Sequence, residues 1–264
     1  MSEDEIFALL VCAGLTLFTW VRWAWVAASV RTLRTAPAAY GAAGMAVPVA
    51  AALLFAVLAR FASHDVRDNG VYIGFYLVMG AAMVAVGVWL LDRLGLSLRD
   101  DVLERRNPAA CFAWAGALIG LTLAFAGANI GDGPGWWVVV FSAGLSMGTV
   151  LAGWLIVDRV AHTGEAIVVE RDLAKALRMA GWFVATGAVT GRAAAGNWVS
   201  AAATVRDFWK VGAGAILLIV CAAVGEAAVR ARPDGGENAA ARGLFGALAW
   251  VAAATGYLAW VGLW

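Results

Sequence analysis

Eight apolar runs, separated by short polar connections, set the pattern of the chain: residues 6 to about 29, 37–58, 71–91, 105–128, 136–157, 174 to about 191, 211–229 and 244–264. A helix needs roughly twenty predominantly apolar residues to cross a bilayer core, so each run predicts a transmembrane helix. Arg22 falls in the first run among Trp20, Trp23 and Trp25. Indole rings and a long, flexible cation belong together at the headgroup level rather than at mid-depth. Pro48 predicts a kink in the second run. The connection GLSLRDDVLERR predicts an amphipathic turn or two on the membrane surface. NIGDGPG predicts a tight reversal after the fourth run.

The boundaries of the runs repeat. The fourth run opens RRNPAACFAWAGALIGLTLAFAGA, and its Asn107 is matched 65 residues on by Asp172 and 66 further on by Asn238. The third, fifth and seventh runs end near an acid, Asp92, Asp158 and Glu226, spaced by 66 and 68 residues. A two-helix unit restores the same orientation each time, so the copies form a parallel repeat about an axis along the membrane normal. Four such hairpins predict an eight-helix bundle. The first hairpin is divergent, with Gly41 where an Asn is expected and no acid ending its first run. The chain thus reads as one transmembrane domain, 1–264. It comprises a divergent hairpin (1–62), a repeat region (71–230) and a C-terminal half-repeat helix (236–264).

Asn or Asp at a helix start is a good N-cap, because its side-chain oxygen accepts a bond from an orphaned amide, worth about 1 kcal/mol. The acids ending the preceding runs face the unfavourable end of the helix dipole. They are expected to pair with a neighbouring Arg or with a cap in an adjacent unit. Gly116 and Gly120, Gly181, and Gly187 and Gly191 form small-residue faces that let helices pack closely. The six polar border residues are the one candidate constellation. They read either as caps and inter-helix pairs, or as a polar ring lining a cytoplasmic vestibule or ion site.

Composition agrees with a membrane chain. Of 264 residues, 63% are hydrophobic and 14% charged, more apolar surface than a soluble core can bury. A net charge of +1, with basic residues scattered between apolar runs, gives no sign of a nucleic-acid partner. The acidic start MSEDE lacks the basic region of a secretory leader, so the first run is expected to be a retained span. Cys12, Cys111 and Cys221 lie within apolar runs without paired spacing and are expected to be small core residues. His64 and His162 fall in connections on opposite sides, and no haem, metal or other cofactor is expected.

Alternating spans collect Arg22, Arg31, Arg34, Arg93, Arg99, Arg105, Arg106, Arg159, Arg171, Lys175, Arg178, Arg230, Arg232 and Arg242 on one side. Arg60, Arg67, Arg192, Arg206 and Lys210 fall on the other. The richer side is expected to be cytoplasmic, which places both termini outside. Trp136, Trp137, Trp198, Trp209 and Trp264 then fall near the outer border as interfacial anchors.

The stretch from Arg105 to Ala128 resembles the repeat of the bacterial membrane family called domain of unknown function 350. Asn107, Ala109, Ala110, Gly116 and Gly120 match its Asn-x-Ala-Ala start and following glycines. GRAAAGNW, from Gly191 to Trp198, resembles the ending of its second repeat. In that repeat Asp172 replaces Asn and Lys175 replaces the second Ala. The resemblance covers roughly 71–230 and implies a multi-pass inner-membrane protein of tandem two-helix repeats, with no established activity attached. The leading expectation is an all-α, non-enzymatic membrane scaffold or partner-binding protein, with the lipid bilayer and a second copy or another membrane protein as partners. The alternative is a channel or small-solute transporter using the polar border residues. An enzyme ranks third for want of a convergent catalytic set.

Overall fold

Apolar runs become helices, and their ends are set by capping chemistry and pairing. The computed structural model describes residues 1–31, 40–229 and 238–262. Its elements are α1 (Glu3–Arg31), α2 (Tyr40–Phe61), α3 (His64–Arg67), α4 (Gly70–Arg93), a π-helical turn (Leu98–Glu104), α5 (Pro108–Gly127), α6 (Trp136–Ala161), α7 (Thr163–Val168), α8 (Leu173–Ala194), α9 (Ala201–Val229) and α10 (Ala239–Val261). Arg34, Pro37, Arg230, Arg232 and Trp264 lie outside the described residues. Pro48 is accommodated inside α2, which continues through it to Phe61. The surface segment forms the π-helical turn, which buries Leu98, Asp101 and Val102.

One boundary departs clearly from the apolar pattern. The helix expected from Val211 begins ten residues earlier, at Ala201. Ser200 Oγ accepts the Ala203 amide at 3.2 Å, and Lys210 pairs with Asp207 at 2.7 Å along the helix surface. Those local bonds support a polar first segment that hydropathy alone assigns to a connection.

Seven helices among the described residues are long and apolar enough to cross a membrane: α1, α2, α4, α5, α6, α9 and α10. The eighth long helix, α8, is 22 residues and carries Lys175, Arg178 and Arg192. It runs alongside α5 from Gly116 against Ala180 to Gly127 against Gly191, and meets α10 where Ala174 abuts Gly243 and Gly181 abuts Ala247. Contacts along its length put α8 across the same thickness as those neighbours.

The long helices lie in two layers. In one, α1 packs beside α4, α4 beside α6 and α6 beside α9. Thr16 Oγ1 donates to Val78 O and Trp20 Nε1 to Ala81 O, so α1 and α4 are parallel. In the other layer α2, α5, α8 and α10 stand side by side. The layers run antiparallel, since Gly80 of α4 lies against Phe125 of α5 while Gly87 lies against Leu121. The result is a pair of open rows rather than a closed bundle. The apolar window of α5 is 78% buried, whereas those of α1 and α10, at the edges, are each 6% buried.

Close backbone approach holds the second layer together. A Cβ at Gly187 would overlap the Gly120 carbonyl, and one at Gly127 would overlap Gly191. Only glycine permits that spacing. Between the layers, Trp182 stacks edge-on against Phe183 at 5.1 Å and donates its indole N–H to Leu218 O at 3.2 Å. The connections at the poorly basic end join in a ladder. Ala62 bridges Ile130, Gly196 N donates to Ile130 O at 2.8 Å, and Trp198 N donates to Asp132 O at 2.8 Å. Trp137 packs on Trp198 at 5.0 Å, and Trp136 donates to Asp4 Oδ2 at 3.2 Å. Of the cysteines, Cys111 is buried and Cys12 half-buried, but Cys221 is exposed on α9 and is not a core residue.

Candidate functional site

The border residues converge at the end of the molecule where α4, α6 and α9 finish and α5, α8 and α10 begin. Asn107 is fully buried at the start of α5. Its Oδ1 accepts the amides of Ala109 at 2.9 Å and Ala110 at 3.3 Å, with Pro108 in the first turn where a missing N–H costs nothing. Its Nδ2 reaches the next loop, donating to Ile167 O at 2.7 Å and Val168 O at 3.1 Å. One side chain thus caps α5 and ties it to the C-terminal end of α7. Asp172 caps α8 by accepting the Lys175 amide at 2.9 Å.

The residue before each of these caps is in the left-handed region, Arg106 at φ 50° and Arg171 at φ 59°. Each loop also returns on itself in the same way. Asn107 N donates to Asp101 O at 3.2 Å and Asp172 N to Ala166 O at 3.0 Å. Arg171 Nη2 donates to Arg105 O at 3.1 Å, so one loop braces the other. Asn238 departs from the expectation: its side chain makes no capping bond. Capping needs extended backbone so that the side chain can swing over the first-turn amides. Asn238 instead sits at φ −103°, ψ 12°, and its own carbonyl accepts the Arg242 amide at 3.0 Å.

The three acids do not share one partner type. Asp92 Oδ1 accepts the Leu98 amide at 3.4 Å, and Asp158 Oδ1 accepts the Gly164 amide at 2.6 Å. Both were expected to pair with an Arg or a neighbouring cap, and both instead serve the loop that follows their own helix. The reason is electrostatic: a carboxylate disfavoured at a helix C-terminus gains by accepting an orphaned amide at the start of the turn that follows. Glu226 does take an Arg. Arg178 Nε donates to Oε1 at 2.7 Å and Arg178 Nη2 to Oε2 at 2.8 Å, with Lys175 Nζ 4.0 Å from Oε2. Glu226 and Lys175 are 4% and 3% exposed. Because α8 and α9 are antiparallel, each charge lies beside the favourable dipole end of the other helix.

Arg178, Lys175 and Asp101 were not singled out as site residues from the sequence. Asp101 is 5% exposed, and burial holds its carboxyl above the usual range. The Ser97 amide at 2.8 Å and Arg105 Nη1 at 3.1 Å oppose that rise. Its available signal was the pair Asp100-Asp101 beside Arg99 and Arg105. For Arg178 there was no local signal, since its partner is 48 residues away.

Chemically, the arrangement caps, braces and neutralises. Among the described residues no group of three His, Cys, Asp or Glu side chains is placed to hold a metal ion. His64 pairs with Asp68 at 2.9 Å on an exposed turn rather than with Asp65. Asp158 and Glu226 line neither a cavity at the opposite end nor two spaces beside α1. A cavity of about 50 Å³ at the opposite end is bordered by Asn129, Asp132 and Ser142, with Asn129 Oδ1 unpartnered. An apolar cleft of about 330 Å³ separates α1 from α2, and a crevice of about 560 Å³ opens between α1, α4 and the π-helical turn.

Two antiparallel layers of long apolar helices, with their capped connections gathered at the ends, define an all-helical multi-pass membrane protein. Residues 65–194, from α3 to the end of α8, match the family described as Domain of Unknown Function (DUF350). No curated protein and no solved structure matches the chain.

Proposed function

We propose that this protein is a non-enzymatic membrane scaffold, a bundle of tandem duplicated hairpins that presents its lipid-facing edges to a second copy or to another membrane protein. The observation that carries the reading is the engagement of the polar border. Asn107 is fully buried with four hydrogen bonds, and Glu226 is sealed by a bidentate Arg178. Close backbone contact between α5 and α8 fills the space that a central path would need. Support for duplication comes from the matched caps, the matched left-handed arginines and the parallel order of helices within each layer.

The end bearing Arg93, Arg99, Arg105, Arg106, Arg159, Arg171 and Lys175 is the cytoplasmic one on this reading, since basic connections are retained inside. Both termini then face outward from a bacterial inner membrane. A channel or small-solute transporter is the second reading, favoured by the buried Lys175, Arg178 and Glu226 cluster. Reconstitution into liposomes separates the two. The scaffold reading expects ion and small-solute flux equal to that of protein-free vesicles, and a cross-linked partner or homo-oligomer in native membrane. Flux that rises with protein content and falls in Glu226→Gln would replace it with the transport reading.

A further inference from the structure

The crevice between α1, α4 and the π-helical turn is built as an amphiphile site, and we propose that it binds one anionic phospholipid. This goes beyond the scaffold reading and does not rest on it. The apolar part of the crevice is formed by Leu15 and Phe18 of α1 and Val86 and Trp89 of α4, all exposed on the membrane side, over a floor of Ala82 and Ala85. Toward the basic end the lining changes to Arg22, Arg93 and Arg99 with Asp92 and Asp100. One site therefore runs from hydrocarbon-like walls to guanidinium groups along the direction in which a lipid lies.

The charges discriminate among headgroups. Arg99 is already engaged by Glu104 at 2.9 Å, and Asp92 accepts the Leu98 amide. Arg22 makes no hydrogen bond or ion pair among the described residues. Among the described residues Arg93 lies over the Trp89 ring, its Cζ 5.1 Å from the centroid. Two guanidiniums on neighbouring helices thus face a shared space with no carboxylate hydrogen-bonded to them among the described residues, though Asp92 lies near enough to Arg22 to feel its charge. With Arg99 taken up by Glu104, Arg22 and Arg93 are the cations left to meet a single phosphodiester. Basic pockets between transmembrane helices are suited to anionic headgroups for this reason. A zwitterionic lipid would bring its own cation beside Arg22 and Arg93. Free phosphate shares the charge but leaves the apolar walls unfilled.

The site has room because α1, beside α4, stands at the edge of its layer, its apolar window only 6% buried. Thr16 and Trp20 hydrogen-bond across the pair, Tyr72 donates to Glu5 at one end, and the crevice lies beside the remaining length. A lipid seated there would cover part of a helix whose apolar window is otherwise 6% buried.

The test uses the full chain, purified in detergent and stripped of lipid, with binding of phosphatidylglycerol and phosphatidylcholine of equal chain length followed by native mass spectrometry. Wild type is expected to prefer phosphatidylglycerol by about tenfold or more, the worth of two arginines at a charged surface. The double variant Arg22→Gln/Arg93→Gln should lose that preference while keeping the wild-type thermal transition. Arg206→Gln, at the opposite end, should keep it. Equal binding of the two lipids overturns the proposal, as does a preference retained in the double variant. Competition by glycerol phosphate as strong as that by intact lipid would make this a soluble-phosphate site, which also overturns it. Should the double variant unfold, Arg22→Lys/Arg93→Lys is the replacement, expected to retain the charge-dependent preference in part; its complete loss would count against the proposal.

Discussion

Replacing Glu226 by Leu removes the carboxylate that faces both Arg178 and Lys175. In the native chain Arg178 donates two hydrogen bonds to it, and Lys175, 3% exposed, lies at 4.0 Å. Breaking a buried pair by deleting one partner costs about 3–5 kcal/mol, because the surviving charge stays buried without compensation. Lys175, 3% exposed, then keeps its charge without this carboxylate, so that range applies. At about 2–4 °C per kcal/mol for a chain of this size, the thermal transition in mild detergent should fall by roughly 10 °C or more. The physical content lies in the recovery. Arg178→Met/Glu226→Leu should regain part of the loss, with Lys175 still stranded. Adding Lys175→Met should bring stability to within about 1 kcal/mol of wild type or above it, as apolar replacement of buried ion clusters often does. A single-variant loss below about 1 kcal/mol would show that water reaches the cluster and would refute the reasoning. So would a triple variant no more stable than Glu226→Leu alone.

Asn107→Ala should cost about 2–4 kcal/mol, one N-cap plus two stranded carbonyls, whereas Asn238→Ala should change stability by less than about 0.5 kcal/mol; paired thermal unfolding curves decide between them. Gly187→Ala drives a Cβ into the Gly120 carbonyl and should destabilise by about 1–3 kcal/mol. Gly144→Ala in α6, with open space around it, should be neutral or stabilising by about 0.5–1 kcal/mol in the same assay. Burial raises the Asp101 carboxyl above its ordinary 3.8 in the folded chain. Between those two values the folded state holds a proton that the unfolded state releases, so this contribution is full at acid pH and lost as pH rises. Wild type measured against Asp101→Asn should therefore gain relative stability from pH 7 to pH 4. A difference independent of pH would contradict the assigned burial.

Capping was legible because it is local. Asn107-Pro108 declares a helix start by chemistry confined to one turn, and the structure puts α5 there. The glycines that let α5 and α8 touch were legible for a related reason, since a small face is useful only where another backbone comes close. Glu226 was legible as a polar border residue but not as Arg178's partner. Its identity with Asp92 and Asp158 in spacing concealed a difference in surroundings. Asp92 and Asp158 are each followed within six residues by a turn whose first amides need an acceptor, and they supply it. Glu226 instead meets the side of α8, which happens to carry two cations at that level. The start of α9 was hidden because its first segment is held by side-chain pairing, which leaves no trace in hydropathy.

α8 is the least apolar of the long helices, and the cause is general to the fold. Apolarity along a span measures how much of it faces lipid, not how deeply it is embedded in the protein. α1 and α10, each 6% buried, meet the apolar criterion because lipid is their main neighbour. α8 is surrounded by α5, α6, α9 and α10, and its buried face includes Thr186, Thr190 and the glycines that admit neighbouring backbones. Thr190 Oγ1 donates to Thr186 O at 2.9 Å, Arg178 and Lys175 are met by Glu226, and Arg192 Nε reaches Gly262 O at 3.0 Å. Thr190, Arg178, Lys175 and Arg192, each costly against hydrocarbon, thus have protein acceptors instead. The least apolar long helix can therefore occupy the middle of the assembly. It does so only while those acceptors stay in place, which is why the Glu226 cluster, rather than any apolar residue of α8, is where the packing of the second layer should first give way.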